Sequence, residues 1–452
     1  MKMPWFVLVV AFALQGCEKP SHENIERWYK TEKGPKKLEK ALKNPDLDPD
    51  LRGHAAEQLI LLDKAKEVLR VIEGMGTTER SSVVEDLVAR LWEVARISGE
   101  FVVPSSAQLT AKDTLFALRP MANESTRGKI DEYLVEWLAG GYYEKRAESG
   151  NISGAAIIRA VGREAGPRLV TSANSILVRP KGKDGRVVAL GSNLLLGLAV
   201  TGHPDAVGFL IKLVGRADKL KRKRLKEAAM GALYTAYVEP KGFDPADSRG
   251  LKPHVSQLLA MSTDQSLSGR VRNDSIAVLE KVGMPECLEA FVGLINDVGK
   301  RAGAPQQLLY AGLQRGIRCS GAAGVEPLAN ALSATGSYER GFLDNYFWQE
   351  TETLGEEKSV GDAALRLLGS KSWVARVSGI ELLALARSKG TEGAHVKALQ
   401  RLARDSAILP GWWKDREDLP DAMRKKAPTI GRVAEEAVKR RRGLARSTET
   451  TQ

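Results

Sequence analysis

From Leu38 onward, apolar residues recur at intervals of three and four positions, in stretches that Gly, Pro, Asp or Asn interrupt. This spacing is typical of amphipathic α-helices of about 10–18 residues. The hydrophobic content is 43% and the charged content 27%, as in an ordinary globular protein, so wholesale disorder is excluded. We therefore expect an all-α fold in which short helices follow one another along most of the chain.

One weak pattern occurs three times, with the form Arg-x-x-small-(Ala/Ile)-x-x-Leu. It is found in Arg52–Leu59, Arg272–Leu279 and Arg376–Leu383, and a second amphipathic segment follows each copy after a short break. The small residue would let two helices approach closely, and the apolar residues one turn apart would fill the seam between them. The arginine would lie at the helix start, from where it could reach an adjacent repeat.

This arrangement resembles HEAT repeats, which are paired-helix units of about 40–47 residues. The resemblance implies a HEAT/armadillo-like alpha solenoid of paired antiparallel helices over residues 38–443, with about nine or ten units. The aspartate that HEAT units often carry in their first helix is not found at the expected offset from Arg272 or Arg376. Residues 444–452 are expected to be a disordered tail.

One segment departs from the helical pattern. Ser175–Arg179 and Arg186–Leu190 are rich in β-branched and apolar residues, and Pro180–Gly185 between them contains two glycines. This predicts a β-hairpin inserted near residues 175–190. Such a hairpin could be a recognition element, or a connecting excursion packed on the edge of the helices.

The N-terminus contains Lys2, an apolar run from Trp5 to Leu14, and then Gln15, Gly16 and Cys17. The run is long enough for a signal-peptide core and too short to span a bilayer. These residues resemble the bacterial lipoprotein box. The resemblance implies cleavage after residue 16, a diacylglycerol on the Cys17 thiol, and a lipid-anchored protein of the cell envelope. Glu18 stands where an aspartate would favour retention in the inner membrane, so the outer membrane is favoured.

Residues 17–37 are mostly polar and include Pro20, Gly34 and Pro35, which predicts a tether between the lipid and the folded body. A short helix around Ile25–Tyr29 could interrupt it. Cys287 and Cys319, the two remaining cysteines, lie 32 positions apart, near one helical repeat. They could form a bridge between neighbouring repeats or remain free as small core residues.

Motifs that carry chemistry are few. The five histidines are more than four residues apart, which excludes an HExxH pair, and the chain has no Gly-x-Ser-x-Gly and no P-loop. Each histidine is interpreted as a surface or satisfied residue, and adjacent acidic residues such as Glu356 and Glu357 point to different helix faces. We therefore predict no catalytic residue, no metal site and no cofactor, and a protein that is not an enzyme. The histidines are His22, His54, His203, His254 and His395.

Positive charge is the more informative signal, because the net charge is +12. Six of the eight residues in Lys219–Lys226 are basic, and 424–426 and Lys439–Arg442 form two more clusters. In a cytosolic protein they would indicate nucleic acid; in the envelope they would favour acidic lipids, glycans or an acidic protein. Solvated helix faces are the alternative. The candidate partner-binding residues of the first cluster are Lys221, Arg222, Lys223 and Arg224.

Trp412 and Trp413 follow Pro410-Gly411, and neighbouring tryptophans cannot both point to one face of a helix. One of them could bind a sugar ring or a partner protein, or both could pack against the last repeats. Together these features predict a lipid-anchored envelope protein that acts as a non-enzymatic interaction scaffold. One alternative is an envelope enzyme whose site is assembled across repeats, which a perturbed carboxylate pair in a concave pocket would favour. The other is a HEAT-like nucleic-acid-binding protein, if the lipoprotein box is fortuitous.

Overall fold

The protein is all-helical in the part of the chain that the structure, a computed structural model, describes. The described residues are 19–98, 102–178, 190–216, 223–242, 244–299, 306–333, 350, 354, 358–385, 392–409 and 429–449. Among them no β-strand is found, and two residues, Ile408 and Thr429, form an isolated bridge. The prediction of an all-α fold is therefore confirmed. No helix among the described residues combines the length and the apolar character that a membrane crossing requires.

The chain divides into two compact units, Met1–Ala206 and Val207–Gln452. The helices of the first unit are 5 to 19 residues long. They are His22–Tyr29 (α1), Gly34–Lys43 (α2), Pro49–Leu61 (α3), Ala65–Glu73 (α4), Thr77–Ala95 (α5), Ser106–Leu118 (α6), Glu124–Ala139 (α7), Tyr143–Ala147 (α8), Gly154–Val161 (α9), Gly166–Val178 (α10) and Ser192–Val200 (α11).

The helix Pro204–Arg216 (α12) contains the boundary between the units, and the remaining helices belong to the second unit. They are Lys223–Tyr237 (α13), Val255–Thr263 (α14), Gly269–Glu280 (α15), Glu286–Gly299 (α16), Gln306–Ser320 (α17), Ala322–Ser333 (α18), Lys358–Leu367 (α19), Trp373–Leu385 (α20), Glu392–Leu402 (α21) and Ile430–Glu449 (α22).

Several helices begin at a serine or asparagine whose side-chain oxygen accepts a hydrogen bond from a backbone N–H three residues later. The capping residues are Ser21, Ser105, Asn123, Ser153 and Ser268. The first N–H groups of a helix have no partner within the helix, so such a cap stabilises it, typically by about 1 kcal/mol. The short polar breaks in the sequence therefore define where these helices start.

Within each unit, helices pack on neighbours that are close in the sequence. In the first unit, α3 contacts α2, α4 and α5, and α5 continues to α6 and α7. In the second unit, α16 packs on α17 and α18, α18 on α19, and α19 on α20. The core consists of the apolar faces that meet between these neighbours, with residues such as Leu87, Leu134, Phe291 and Leu383 fully buried. This local packing buries each amphipathic helix soon after it appears in the chain.

All three copies of the repeated motif lie at the same place in a helix, with the arginine as its fourth residue in α3, α15 and α20. The small residue lies at a close helix contact: a Cβ on Gly379 would lie 2.7 Å from the carbonyl oxygen of Ala364 in α19. Ala55 and Ser275, at the equivalent positions, are fully buried. The predicted role of the small residue is therefore confirmed.

The motif arginines differ in what they reach. Arg52 forms an ion pair of 2.6 Å with Glu79 in the first turn of α5, and Arg376 bonds to Asp405 at 2.9 Å, beyond the end of α21. Arg52 thus reaches past α4 to α5, as predicted, whereas Arg376 reaches the turn that follows α21. Arg272 instead donates to Gln265, seven residues earlier, at 2.6 Å. For Arg272 the prediction is wrong, because the turn before α15 places a nearer acceptor within its reach.

The predicted hairpin at residues 175–190 requires a correction. Ser175–Val178 form the last turn of α10, with Ile176 buried, so the first predicted strand is wrong. Tertiary context overrides the β propensity of these residues because the apolar face of α10, with Leu169, Ala173 and Ile176, keeps the helical period. Residues 179–189, including most of the second predicted strand, lie outside the described residues.

The predicted tether at residues 17–37 also changes. The short helix expected around Ile25–Tyr29 is confirmed as α1, but Ile25 is 0% and Trp28 4% exposed, and α1 packs on α2 and α3. From His22 onward the segment therefore belongs to the folded unit. The buried apolar side chains of α1 and α2 alternate with polar ones at helical spacing, so the segment forms amphipathic helices rather than a linker.

Cys287 and Cys319 form a disulfide, with Cα atoms 6.5 Å apart. Cys287 lies in the first turn of α16, and Cys319 in the last turn of α17. These two helices pack directly on each other. The bridge therefore joins the beginning of one helix to the end of the next, and of the two alternatives for these cysteines the paired one is observed.

Candidate functional site

The residues predicted to bind a partner are only partly described. Arg224, in the first turn of α13, is exposed. Lys226, which belongs to the same basic run, is only 8% exposed. Cys17, Lys221, Arg222, the side chain of Lys223, Trp412 and Trp413 lie outside the described residues, and so does the basic run at residues 424–426.

The basic run Lys439–Arg442 is described, and two of its side chains turn inward. Arg440 donates to both carboxylate oxygens of Glu381, at 3.0 and 2.9 Å, and Glu381 is 2% exposed. Arg441 is 7% exposed and donates to the backbone carbonyl of Leu383 in the last turn of α20. The prediction of a charged surface is therefore wrong for Arg440 and Arg441, because α22 packs these positions against α20.

Buried cations in the first unit make similar contacts. Arg52 donates from Nε to the carbonyl of Leu42 in α2, at 2.9 Å, and Arg146 donates to the carbonyl of Trp137 in α7, at 2.5 Å. These carbonyls lie in the last turns of their helices and have no acceptor role within the helix. The negative end of a helix dipole favours a cation there. Some of the basic side chains of this protein therefore cap the C-termini of helices.

Lys112 is the most deeply buried of these cations, with 0% exposure. Its ammonium donates to the carbonyls of Ser149 and Ile152 at 2.9 and 2.7 Å and pairs with Asp113 at 2.6 Å. Burial lowers the pKa of Lys112, while the hydrogen bond with Asp113 opposes that shift. Three acceptors match the three donors of an ammonium group, so this lysine holds the loop after α8 rather than offering a reactive amine.

A histidine pair forms the clearest titratable cluster of the first unit. His22 in α1 and His54 in α3 face each other with their Nδ1 atoms 2.9 Å apart, so one Nδ1 donates to the other. The Nε2 of His22 lies 3.1 Å from Asp50 Oδ2. Sequence reasoning missed this pair because the two residues are 32 positions apart; the only signal was that His54 lies within a repeat motif.

Burial lowers the pKa of His54 to about 4, and the positive charges of Arg90 and His22 act in the same direction. His54 is 5% exposed. It is therefore neutral at physiological pH and can accept or donate a hydrogen bond but carries no charge. The interpretation of His54 as a satisfied histidine agrees with this geometry.

Two carboxylates lie beside the pair, on either side of Arg90 in α5. Asp86 accepts from Arg90 Nε at 2.6 Å, and Glu57 lies 3.8 Å from the same guanidinium. Burial raises the pKa of both carboxyl groups, although Arg90 acts to lower them. A Cβ on Gly53 would lie 2.1 Å from Asp86 Oδ2, so the missing side chain lets α3 and α5 approach at this point.

A concave cavity of about 500 Å³ opens next to this cluster, between residues of α3, α5 and α7. Three carboxylates, a hydroxyl, a phenol and an amine line it together with small apolar residues. Its lining comprises Pro49, Asp50, Ser82, Glu85, Asp86, Val88, Ala89, Lys129 and Tyr133. Lys129 pairs with Glu85 at 3.0 Å, and the ring of Tyr133 stacks on Trp92 with 4.6 Å between centroids. The lining can therefore accept hydrogen bonds from a polar or cationic group.

No group of three or more metal-ligating side chains is assembled anywhere in the ranges that the structure describes. In the histidine pair, the two Nδ1 atoms point at each other, and Asp50 bonds to the opposite nitrogen of His22. The cavity lining offers carboxylates, a hydroxyl, a phenol and an amine, and the neutral imidazole of His54 belongs to the cluster beside it.

Comparison with known proteins adds little to this site. No family model matches the chain, and no curated protein matches it. Among solved structures, an engineered protein is 16% identical and covers 90% of this chain and 98% of its own, with a TM-score of 0.29. Human deoxyhypusine hydroxylase in complex with glycerol is 13% identical, covers 80% and 98%, and has a TM-score of 0.20. With TM-scores this low, neither structure carries an argument.

Proposed function

We propose that this protein is a lipid-anchored envelope protein whose helices form a HEAT-like alpha solenoid and act as a non-enzymatic interaction scaffold. The observation that carries the proposal is the repeated motif, which occupies the same place in three helices, α3, α15 and α20. Arrays of such units offer an extended surface for binding, because each unit contacts only its neighbours along the chain.

The helix contacts within the two compact units of the chain support the proposed solenoid. Helices pack on those one, two or three places away in the sequence, Arg52 links α3 to α5, and Arg376 links α20 to the turn after α21. A solenoid requires such links, since no single pair of helices can bury its apolar faces alone.

Two observations support a location in the envelope. The segment Leu14–Cys17 resembles the lipoprotein box, and Cys287 and Cys319 form a disulfide. Structural disulfides persist in oxidising compartments and are rare in the cytosol. Free-thiol alkylation of the protein in intact cells should therefore leave Cys287 and Cys319 unmodified until a reductant is added, and modification without a reductant would contradict the proposed location.

Metabolic labelling with a radioactive fatty acid tests the anchor. The wild-type protein should be labelled and should sediment with membranes, whereas Cys17→Ser should carry no label. Cys287→Ser is the matched control and should keep the label. Label that survives Cys17→Ser, or an unlabelled wild type, would remove the anchor from the proposal.

A pull-down from solubilised envelopes tests the scaffold. The predicted partner-binding cluster is neutralised by changing Lys221, Arg222, Lys223 and Arg224 to Gln, while the buried Lys226 is left unchanged. A control variant neutralises four exposed basic residues elsewhere, Lys241, Lys371, Lys397 and Arg401. The partner should be lost from the first variant and kept by the second; equal retention by both would exclude the cluster as the binding surface.

A second candidate function, an envelope enzyme, is favoured by one specific observation. Burial raises the pKa of Glu57 and Asp86, and Asp86 lines the 500 Å³ cavity. Perturbed carboxylates in a cavity are characteristic of catalytic sites, although ion-pair networks such as the one with Arg90 also produce them. If the cavity were catalytic, Asp50→Asn and Asp86→Asn would abolish complementation of a deletion strain without loss of folded protein. Complementation by both variants would exclude this candidate.

A further inference from the structure

Helix α2 carries a dense positive surface next to the first folded residues of the chain. Its buried side consists of Gly34, Leu38, Ala41 and Leu42. All the lysines of the helix and of its N-cap are exposed on the remaining surface. This basic face comprises Lys33, Lys36, Lys37, Lys40 and Lys43.

Only part of this charge is balanced locally. Glu39, the one acidic residue within α2, pairs with Lys43 at 2.6 Å, and this contact lowers its pKa. Lys64, the N-cap residue of α4, contributes to the same shift, so its ammonium adds positive charge near this surface. The Nζ of Lys37 lies 5.4 Å from the centre of the Trp28 ring. Lys33, Lys36 and Lys40 project from the exposed side of the helix.

The position of these lysines is unfavourable for the isolated helix. The N-terminus of a helix carries a partial positive charge, which favours acidic side chains and disfavours basic ones. The first turn of α2 nevertheless contains no acidic residue, and Lys33, Lys36 and Lys37 lie at this end. An external anion would compensate both the lysines and the helix dipole.

The chain also limits how far this face can lie from the point of lipid attachment in the proposed function. From Cys17 to the first residue of α1, His22, there are five residues, which span at most about 18 Å. Because α1 packs directly on α2, the two helices are separated by about one helix diameter, roughly 10 Å. An anchored protein would therefore hold the basic face close to the lipid headgroups.

We propose that the basic face of α2 binds the surface of a membrane that contains anionic phospholipids. The reach argument rests on the proposed lipid anchor, whereas the charge argument does not. Anionic headgroups attract basic residues next to a membrane anchor, by an amount that grows with the number of lysines and falls with salt. The contact orients the first unit on the membrane and adds a second attachment to the lipid.

The experiment uses the chain from residue 17 onward with Cys17→Ser, which contains every described residue and carries no lipid. Its flotation is measured with vesicles of phosphatidylcholine alone and with vesicles that contain about one third phosphatidylglycerol. Binding should occur only to the anionic vesicles and should be lost in high salt. The variant K33E/K36E/K40E should bind them at least about tenfold more weakly.

A matched variant separates the effect of the basic face on vesicle binding from the effect of the total charge of the protein. K241E/K371E/K397E changes the total charge equally at three exposed lysines of the second unit and should bind within about twofold of the parent chain. Circular dichroism checks that both variants are folded, and acidic residues at the start of α2 should not disturb it.

Several results would overturn the inference: no binding to anionic vesicles, equal binding to neutral ones, or equal loss in both variants. Binding to a soluble polyanion but not to vesicles would also do so. Because the test protein carries no lipid, its result is separate from the fatty-acid labelling. If the protein is not labelled, the lipid anchor is ruled out but the basic face can still bind vesicles. If the vesicles are not bound, the basic face is ruled out as a membrane-binding surface but the lipid anchor is not.

Discussion

The basic face of α2 and the run Lys439–Arg442 in α22 are both short helical segments rich in positive charge, but their surroundings differ. On α2, every lysine is exposed, and Lys43 pairs with Glu39 along the helix surface. On α22, Arg440 bonds to the buried Glu381, and Arg441 to a backbone carbonyl of α20. The first segment presents its charge to solvent, and the second uses its charge to hold two helices together.

Residue type contributes to this difference. Arginine offers five donors in a planar fork and is weakly hydrated, which suits contacts with carboxylates and carbonyls inside a protein. Lysine is a strongly hydrated point charge at the end of a flexible stem. The buried cations of the described part include three arginines that hold helix ends, Arg52, Arg146 and Arg441, whereas the exposed face consists of lysines. Buried and exposed charge should therefore respond differently to substitution.

The largest effect is expected at Glu381. Glu381→Ala removes the buried carboxylate that holds the half-buried side chain of Arg440, and the loss of hydrogen bonds between charged groups costs about 2–3 kcal/mol. The free energy of unfolding of the second unit, measured by urea denaturation, should fall by an amount of this order. Glu435→Ala, an exposed residue on α22, is the control and should change it by less than about 0.5 kcal/mol. Equal effects would place the pair at the surface.

A smaller loss is expected at Arg441. Arg441→Met keeps the aliphatic stem but leaves the carbonyl of Leu383 without this donor, which should cost about 1–3 kcal/mol. Lys439→Met, with a side chain that is 72% exposed, should cost almost nothing. The two variants remove one positive charge each, so urea unfolding midpoints that shift by the same amount would contradict the contrast between buried and exposed charge.

The histidine pair provides a contrast that depends on pH. The folded protein holds His54 neutral down to about pH 4, while the unfolded chain protonates it near 6.5. The unfolded state therefore binds more protons between these values, and stability falls as the pH decreases through this window, with no further loss from His54 below it. The charged groups that influence the titration of His54 are Arg90, His22, Glu26 and Asp50.

Glu57 and Asp86 act in the opposite direction, because their raised pKa values make the folded state the better proton acceptor. The test is therefore a difference: the unfolding midpoint of wild type minus that of His54→Asn, followed between about pH 7 and pH 4. As the pH falls, the unfolding midpoint of the wild type should decrease relative to that of His54→Asn.

The smallest effect on stability is expected on the basic face of α2. K33E/K36E/K40E should change the free energy of unfolding by less than about 0.5 kcal/mol per residue, because acidic residues at positions 33 and 36 favour the helix N-terminus while one at position 40, in the last turn, is disfavoured. Thermal denaturation followed by circular dichroism measures it. A loss of several kilocalories would show that these lysines hold the fold, as Arg441 does, and are not a surface for anions.

The repeat motif was the most reliable guide to the fold. Its three copies lie in helices and its small residues are buried, because the spacing of the motif places these residues on the apolar side of each helix. The predictions of a strand at residues 175–178 and of a tether from His22 onward are wrong. Both segments are helices whose apolar residues pack on neighbouring helices, and the sequence does not show which helices those are. The candidate cavity could not be predicted either, since Asp50, Asp86 and Tyr133 come from three helices.

By itself, the sequence determined that the chain is helical, where many helices begin, and that two cysteines lie one helix pair apart. These properties depend on neighbours within a few turns of the same segment. Only the tertiary structure decided that His22 meets His54, that Cys287 pairs with Cys319, and that Arg441 is buried while Lys36 is exposed. Burial decides what a charge can do, and burial is fixed by residues that are distant in sequence.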